Sequence, residues 1–289
     1  MANLIDIRRR IRSVKSTQQI TRAMKFVAAA KLRKAQAQTF AVRPYARRMF
    51  QVIHHLAMRV PDRSHPLLED RGDRRILLVL ISGDKGLCGA YNSNLIKAAY
   101  QFMEEHRGAE ITLEVVGKKA YEHFHRRLFA IAQSFVDRLG KVDLRLAEQV
   151  SEPLTEGFLG HTYDRVFLLY HQFKSVMQQQ ITVEQLLPIA AVEVEEEDAV
   201  FPLGVDYIYE QPRESIYQDL FPQHVLVQVY RALVESTASE QGARMAAMEA
   251  ATKNAGEMIE RLTLFRNRVR QAAITKELIE IVSGAAALG

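Results

Sequence analysis

Cysteine is almost absent from the chain: Cys88 is the only one in 289 residues. An internal disulfide and a multi-cysteine metal centre are therefore excluded, and thiol chemistry would rest on one group. Long apolar runs are missing too. No stretch of about 18 apolar residues is there to cross a bilayer. The opening "MANLIDIRRRIRSVK" scatters its charges instead of placing them before an apolar segment, as a secretory leader does. Proline and glycine are both absent from residues 3–43, and proline does not recur after Pro222. The N-terminal arm is thus free of the residues that break helices, and in the C-terminal arm Gly242 and Gly256 interrupt the pattern only weakly.

With 48% apolar and 25% charged residues, the chain has ordinary globular composition and can bury a core. Its charge is unevenly spread. Residues 1–48 carry 13 Lys and Arg against the single acid Asp6, a net +12; residues 51–212 carry about −7, and from Arg213 onward nine of each sign cancel. A basic arm of this kind points to an acidic partner. It contains no recognised nucleic-acid module and, between Arg8 and Arg48, only Phe26, Phe40 and Tyr45 as aromatics, so an acidic protein surface is favoured over nucleic acid or membrane.

In the N-terminal arm, Leu4, Ile7, Ile11 and Val14, then Ile20, Met24 and Val27, recur in helical steps, with a polar interruption at Thr17–Gln19. At 1.5 Å per residue this predicts roughly 60 Å of helix, which Pro44 would at most kink. From His224 to Val282, Met245, Met248, Thr252, Ala255, Ile259, Leu262, Phe265, Val269 and Ala273 keep the same step, predicting roughly 90 Å of helix, the length of a coiled-coil strand. Between the ends the texture changes. "RILLVLIS" (75–82), "ITLEVVG" (111–117) and "DRVFLLYHQF" (164–173) read as buried strands with helices between them, and "QQITVEQLLPI" as an added edge strand. "VEVEEEDAVF" reads as an exposed acidic loop. The fold predicted is α/β: a long antiparallel coiled coil of the N- and C-terminal helices (residues 1–60 and 213–289) with a small Rossmann-like α/β domain (72–212) whose sheet is mainly parallel.

"SGDKGLCGAYN" (82–92) lies after a strand and before a helix, where phosphate loops lie, with Gly83, Gly86 and Gly89 at every third residue. Its spacing matches neither the P-loop nor the G-x-G-x-x-G fingerprint, and no acid placed for a ribose follows about 20 residues on. A tight turn before a helix capped by Asn92 or Ser93 accounts for it. No histidine can be assigned to Cys88 as a base. The adjacent His54 and His55 would point to different helix faces, and no paired-carboxylate or metal-ligand pattern occurs, so neither catalytic group, cofactor nor metal is expected.

"IRRRIRSVKSTQQITRAMKFVAAAKLRKAQ", "SGDKGLCGAYN" and "ASEQGARMAAMEAATKNAGEMIERLTLFRNRVRQAAITKELIEIVSGAAAL" together resemble the gamma-subunit family of the F-type ATP synthase, along the whole chain. The resemblance implies a non-catalytic rotor shaft, one copy inside a ring of three alpha and three beta subunits, its foot on the epsilon subunit and the membrane c-ring. It couples ion flow to ATP synthesis or hydrolysis on beta. The implied contacts with the ring are Met24, Lys25, Lys31, Arg33 and Lys34 facing an acidic loop of beta, Arg270 and Gln271 as a polar catch, and Lys85 and Lys97 as a second zone. Tyr207 and Glu210 of "DYIYEQP" match the part resting on the c-ring. The single cysteine departs from the chloroplast type, whose regulatory cysteine pair is missing here. Without a mitochondrial leader, the implied location is the cytoplasmic face of a bacterial plasma membrane.

Overall fold

The computed structural model describes residues 4–57, 65–189 and 213–286. The chain divides into two compact units: residues 1–28 with 244–289, and residues 29–243. Two helices run through both, α1 (Leu4–Ala57) and α5 (Arg213–Ala286), of 54 and 74 residues. The helical step read from His224 onward extends back to Arg213, the bound given to the C-terminal helix. Pro222 lies inside it and is solvent-exposed, as is Pro44 within α1. Proline costs one backbone hydrogen bond but does not end a helix whose remaining turns are packed.

In the first unit, α1 and α5 run antiparallel. Gln18 Nε2 donates to the Thr252 carbonyl at 3.4 Å, Thr252 Oγ1 to Thr21 Oγ1 at 2.8 Å, and Lys25 Nζ pairs with Glu249 Oε1 at 2.6 Å, so rising numbers on one helix meet falling numbers on the other. The residues turned inward on α1 are Leu4, Ile7, Ile11, Val14, Gln18, Thr21, Lys25 and Ala28, an unbroken alternation of three- and four-residue steps. Facing seam residues on α5 are Met245, Met248, Thr252, Ala255, Ile259, Leu262, Arg266, Val269 and Ala273. Two expectations are corrected here. Ile20 and Val27 are each 57% exposed, their seam places taken by Gln18, Thr21, Lys25 and Ala28, and Phe265 yields its place to Arg266. A helical repeat cannot skip a position because the residue there is polar, and two threonines that bond each other fill the seam without an unpaired hydroxyl.

The second unit holds a five-stranded sheet: β1 (Arg75–Ile81), β2 (Glu110–Val116), β3 (Ile131–Phe135), β4 (Arg165–Phe173) and β5 (Gln179–Leu187), in the order β3-β2-β1-β4-β5. Pairing is parallel except between β4 and β5. Helices α2 (Tyr91–Glu105), α3 (Lys118–His125) and α4 (Leu144–Leu159) fill the connections. Strand β1 is central and buried on both faces after its first residue. Leu77, Val79 and Ile81 pack with α4 and with Met49, Ile53, Phe221, Val225 and Val229 of α1 and α5, whereas Ile76, Leu78 and Leu80 pack with Leu95, Phe102 and Phe124 of α2 and α3. Each such side chain contributes about 1.5–3 kcal/mol of burial. Strand β3 is an addition to the predicted elements. Its middle residues, Ala132, Gln133 and Ser134, are exposed, so it has no apolar run to reveal it.

Close approach at the carboxyl ends of β1 and β2 requires Gly117. It has φ +98°, and a Cβ there would lie 2.3 Å from the Ser82 carbonyl oxygen. Gly117→Ala is therefore expected to destabilise the chain by about 3 kcal/mol or more, whereas Gly86→Ala, which meets open space, should stay within about 0.5 kcal/mol. Thermal unfolding of the two variants checks this, and equal losses would refute it.

Glu114, at the middle of β2, is 1% exposed and its Oε1 has no partner among the described residues. Burial pushes its carboxyl up to about 8. A carboxyl raised in the folded state loses stability as pH climbs from its unfolded value near 4.5 toward 8. Glu114→Gln should thus be nearly neutral at pH 4.5 and more stable than wild type by on the order of 3–5 kcal/mol at pH 8. Unfolding midpoints of both proteins across this range test the sign, and a pH-independent difference would count against it.

Candidate interaction surfaces

The turn after β1 is tied down by side chains. Asp84 Oδ1 accepts from the backbone N–H of Lys118 at 3.0 Å and of Asp137 at 2.9 Å, and Oδ2 from Leu139 N–H at 3.0 Å. One carboxylate thereby joins the loops that follow β1, β2 and β3. The Asn92 side-chain Oδ1 accepts from Gly83 N–H at 2.9 Å, and its Nδ2 donates to Cys88 Sγ at 3.2 Å. Cys88 is buried. The Gly83 N–H at the head of the glycine-rich stretch is thus taken by one of the protein's own side chains.

The strand order reverses between β1 and β4, the place where this kind of sheet commonly opens a crevice for a nucleotide. Here α5 fills it. Glu240 comes so near Gly83 that an added Cβ would sit 3.0 Å from its carboxyl carbon, Tyr91 Oη donates to the Ser236 carbonyl at 3.0 Å, and Ser239 Oγ donates to the His171 carbonyl at 3.1 Å. The His171 ring stacks on Tyr91 at 4.0 Å, and burial pushes its pKa down to about 4, which keeps it neutral. The glycine-rich stretch is thus a structural turn against a helix. Among the described residues no cluster of His, Cys, Asp or Glu is arranged to hold a metal ion, and no helix is long and apolar enough to cross a membrane.

The outward surfaces remain. In the first unit, Met24 is half-buried, and Lys25 stands in the seam with its ammonium on Glu249; Ile20, Phe26 and Val27 face out. Arg270 and Gln271 are exposed on α5. From Ile274 to Ser283 every residue is exposed, so the last described turns of α5 present Ile274, Leu278, Ile279, Ile281 and Val282 to solvent beside Lys276, Glu277 and Glu280. In the second unit, Lys31, Arg33 and Lys34 are exposed on α1, Lys85 on the turn after β1, and Lys97 on α2. Tyr207, Glu210 and the acidic run 192–201 lie outside the described residues, as do the side chains of His54 and His55. Composition alone did not show that Lys25 differs from its basic neighbours. Counting the heptad through Gln18 and Thr21 would have placed it in the seam.

Removing the Asp84 carboxylate strands three backbone donors. Asp84→Ala is expected to cost about 2–3 kcal/mol, and Asp84→Asn less, because it keeps one acceptor oxygen. Chemical denaturation measures both, and an unchanged midpoint for the alanine variant would refute the role.

Comparison with known proteins places these surfaces in context. A family profile described as ATP synthase matches residues 3–288. The chain is 46% identical over 286 residues to the ATP synthase gamma chain of Geobacter sp. strain M21, covering 98% of each, and 49% identical over 291 residues to that of Solibacter usitatus, covering 99% of each. Its structure is similar to a chain of the Tetrahymena thermophila mitochondrial ATP synthase central stalk and c-ring, with TM-score 0.62 and 27% identity over 80% of this chain and 99% of that one. It shares the fold of a chain from a Euglena gracilis mitochondrial ATP synthase OSCP/F1/c-ring structure, with TM-score 0.68 and 19% identity over 99% of this chain and 94% of that one.

Proposed function

Because the chain belongs to the ATP synthase gamma-chain family, we propose that this central-stalk subunit is the rotating shaft of an F-type enzyme. It turns within a ring of three alpha and three beta subunits, one copy per complex, and rests on epsilon and the c-ring at the cytoplasmic face of the membrane. Catalysis belongs to the ring, and this chain carries torque without a cofactor of its own. The observation that supports this role most is the antiparallel coiled coil of the first unit, whose α5 strand ends in turns that expose Ile274, Leu278, Ile279, Ile281 and Val282.

Such a surface suits a shaft. Apolar contact is non-directional, so a turning tip in an apolar sleeve breaks no hydrogen bonds and meets a low barrier. Exposed charges act differently. Lys31, Arg33 and Lys34 can attract an acidic loop of beta and release it again, since solvent-screened pairs contribute only about 0–1 kcal/mol each. Lys25 and Met24 lie at the edge of the seam on the same helix, and Lys85 and Lys97 offer further positive charge. The Arg270 guanidinium can fork onto a carboxylate with Gln271 beside it, a stronger and more directional catch. Tyr207 and Glu210 are assigned to the c-ring foot on the resemblance alone.

Mixing the chain with alpha and beta subunits tests the role: one copy per three alpha-beta pairs should elute as a discrete complex, with steady ATPase appearing only in its presence. Absence of a complex would overturn it. Arg270→Ala with Gln271→Ala should leave the unfolding midpoint of the chain unchanged while lowering coupled turnover roughly ten-fold, the loss of one charge-assisted contact of about 1.5 kcal/mol. Unimpaired ATPase and proton pumping would remove these two from the catch.

A further inference from the structure

The sheet unit contains a row of partly or wholly buried polar bonds that neither the core nor the ring-facing surfaces account for. Along one inclined ridge of α5, at positions i, i+4 and i+8, Arg231, Glu235 and Ser239 all bond to the two last strands. Arg231 Nη2 donates to both oxygens of Glu184 on β5, at 2.7 and 2.6 Å, and Tyr170 Oη of β4 donates to the same carboxylate at 3.0 Å. Burial raises the Tyr170 phenol, so it remains a donor at ordinary pH. Glu235, only 1% exposed, accepts Phe173 N–H at 3.1 Å on Oε2 and Arg43 Nε at 3.0 Å on Oε1. Arg43, from α1, also donates through Nη2 to the Phe173 carbonyl. Ser239 holds the His171 carbonyl, and Tyr91 holds that of Ser236.

Apolar packing would have sufficed to cover this face of the sheet, as it does earlier on α5 at Phe221, Val225 and Val229. Buried ion pairs are often no more stabilising than apolar residues of the same volume. What they add is angular restraint. With side-chain tips about 5–6 Å from the helix axis, a roll of about 10° moves each tip by about 1 Å, enough to break a 3.0 Å hydrogen bond. Apolar side chains sliding past one another lose much less. We infer that Arg231, Glu235 and Ser239 of α5, with Arg43 of α1, form the torque-bearing joint that locks the two long helices in rotational phase with the α/β sheet. The inference rests on the rotor role. In the crevice where related folds hold a nucleotide, this chain seats a helix and fastens it.

The test uses the complete synthase reconstituted in vesicles and, in parallel, the alpha-beta ring with a bead on an engineered Gln101→Cys in α2. The variant Arg43→Met, Glu235→Gln, Arg231→Met, Glu184→Gln removes both ion pairs, while the two introduced amides keep an acceptor oxygen for Phe173 N–H and for the Tyr170 hydroxyl. Expected are retained ATP hydrolysis, a fall of about three-fold in protons moved per ATP, and a roughly doubled angular spread of the stalled bead. Either pair changed alone should shift both readouts in the same direction by a smaller amount, which preserves the test if the fourfold variant does not assemble. An unchanged proton-to-ATP ratio and bead spread, or hydrolysis and pumping falling in equal proportion, would overturn the joint. A wild-type chain that fails to rotate in the ring would instead overturn the rotor role.

Discussion

A helix with an apolar seam cannot stand alone in water, and this chain has two of them at opposite ends of its sequence. Each must cover the other. That requirement brings the ends of the chain together, sets them antiparallel, and leaves the residues between to fold as a separate insertion. It also explains the polar seam of the first unit. Gln18, Thr21 and Thr252 sit where the heptad puts them, and Gly256 permits the approach because an added Cβ there would press on Gln18 Nε2 at 3.1 Å. A seam that includes threonines, glutamine and a lysine on Glu249 is less sticky than one of leucines, but polar pairs fix register where leucines would allow slippage.

The sheet unit meets a different problem, because a helix must be held against it at one angle. Directional bonds at Arg231, Glu235 and Ser239, partly or wholly buried, fasten it along β4 and β5, while the turn after β1 is braced by Asp84 and Asn92. The contrast with the exposed tip of α5 is chemical. Its last described turns expose five aliphatic side chains with Lys276 paired to Glu280 on the same helix, whereas against the sheet α5 makes ion pairs and hydrogen bonds that are partly or wholly buried.

Much of this was legible from residue patterns. The long helices, β1, β2, β4 and the edge strand β5 all follow from periodicity and apolar runs, since burial on both faces leaves a continuous run and burial on one leaves a period. Strand β3 was hidden because its middle is exposed, and the periodic seam read from His224 says nothing of the packing at Tyr217 and Phe221 that secures the first turns of α5. On the surfaces, the basic residues could be named but not sorted. Lys25 and Lys31 carry the same charge six residues apart, yet one is engaged in the seam and the other is exposed.

Composition and period were enough to set the architecture: a single cysteine, no long apolar run, ends with few helix breakers in heptad register, and a strand-helix alternation between them are all local properties of the chain. Which polar groups meet is a matter of the folded arrangement alone. Arg43 and Glu235 are 192 positions apart, Arg231 and Glu184 are 47 apart, and nothing local marks them as partners. Their pairing exists because the sheet order carries β4 and β5 under α5, and long-range geometry of that kind leaves no period in the chain to be read.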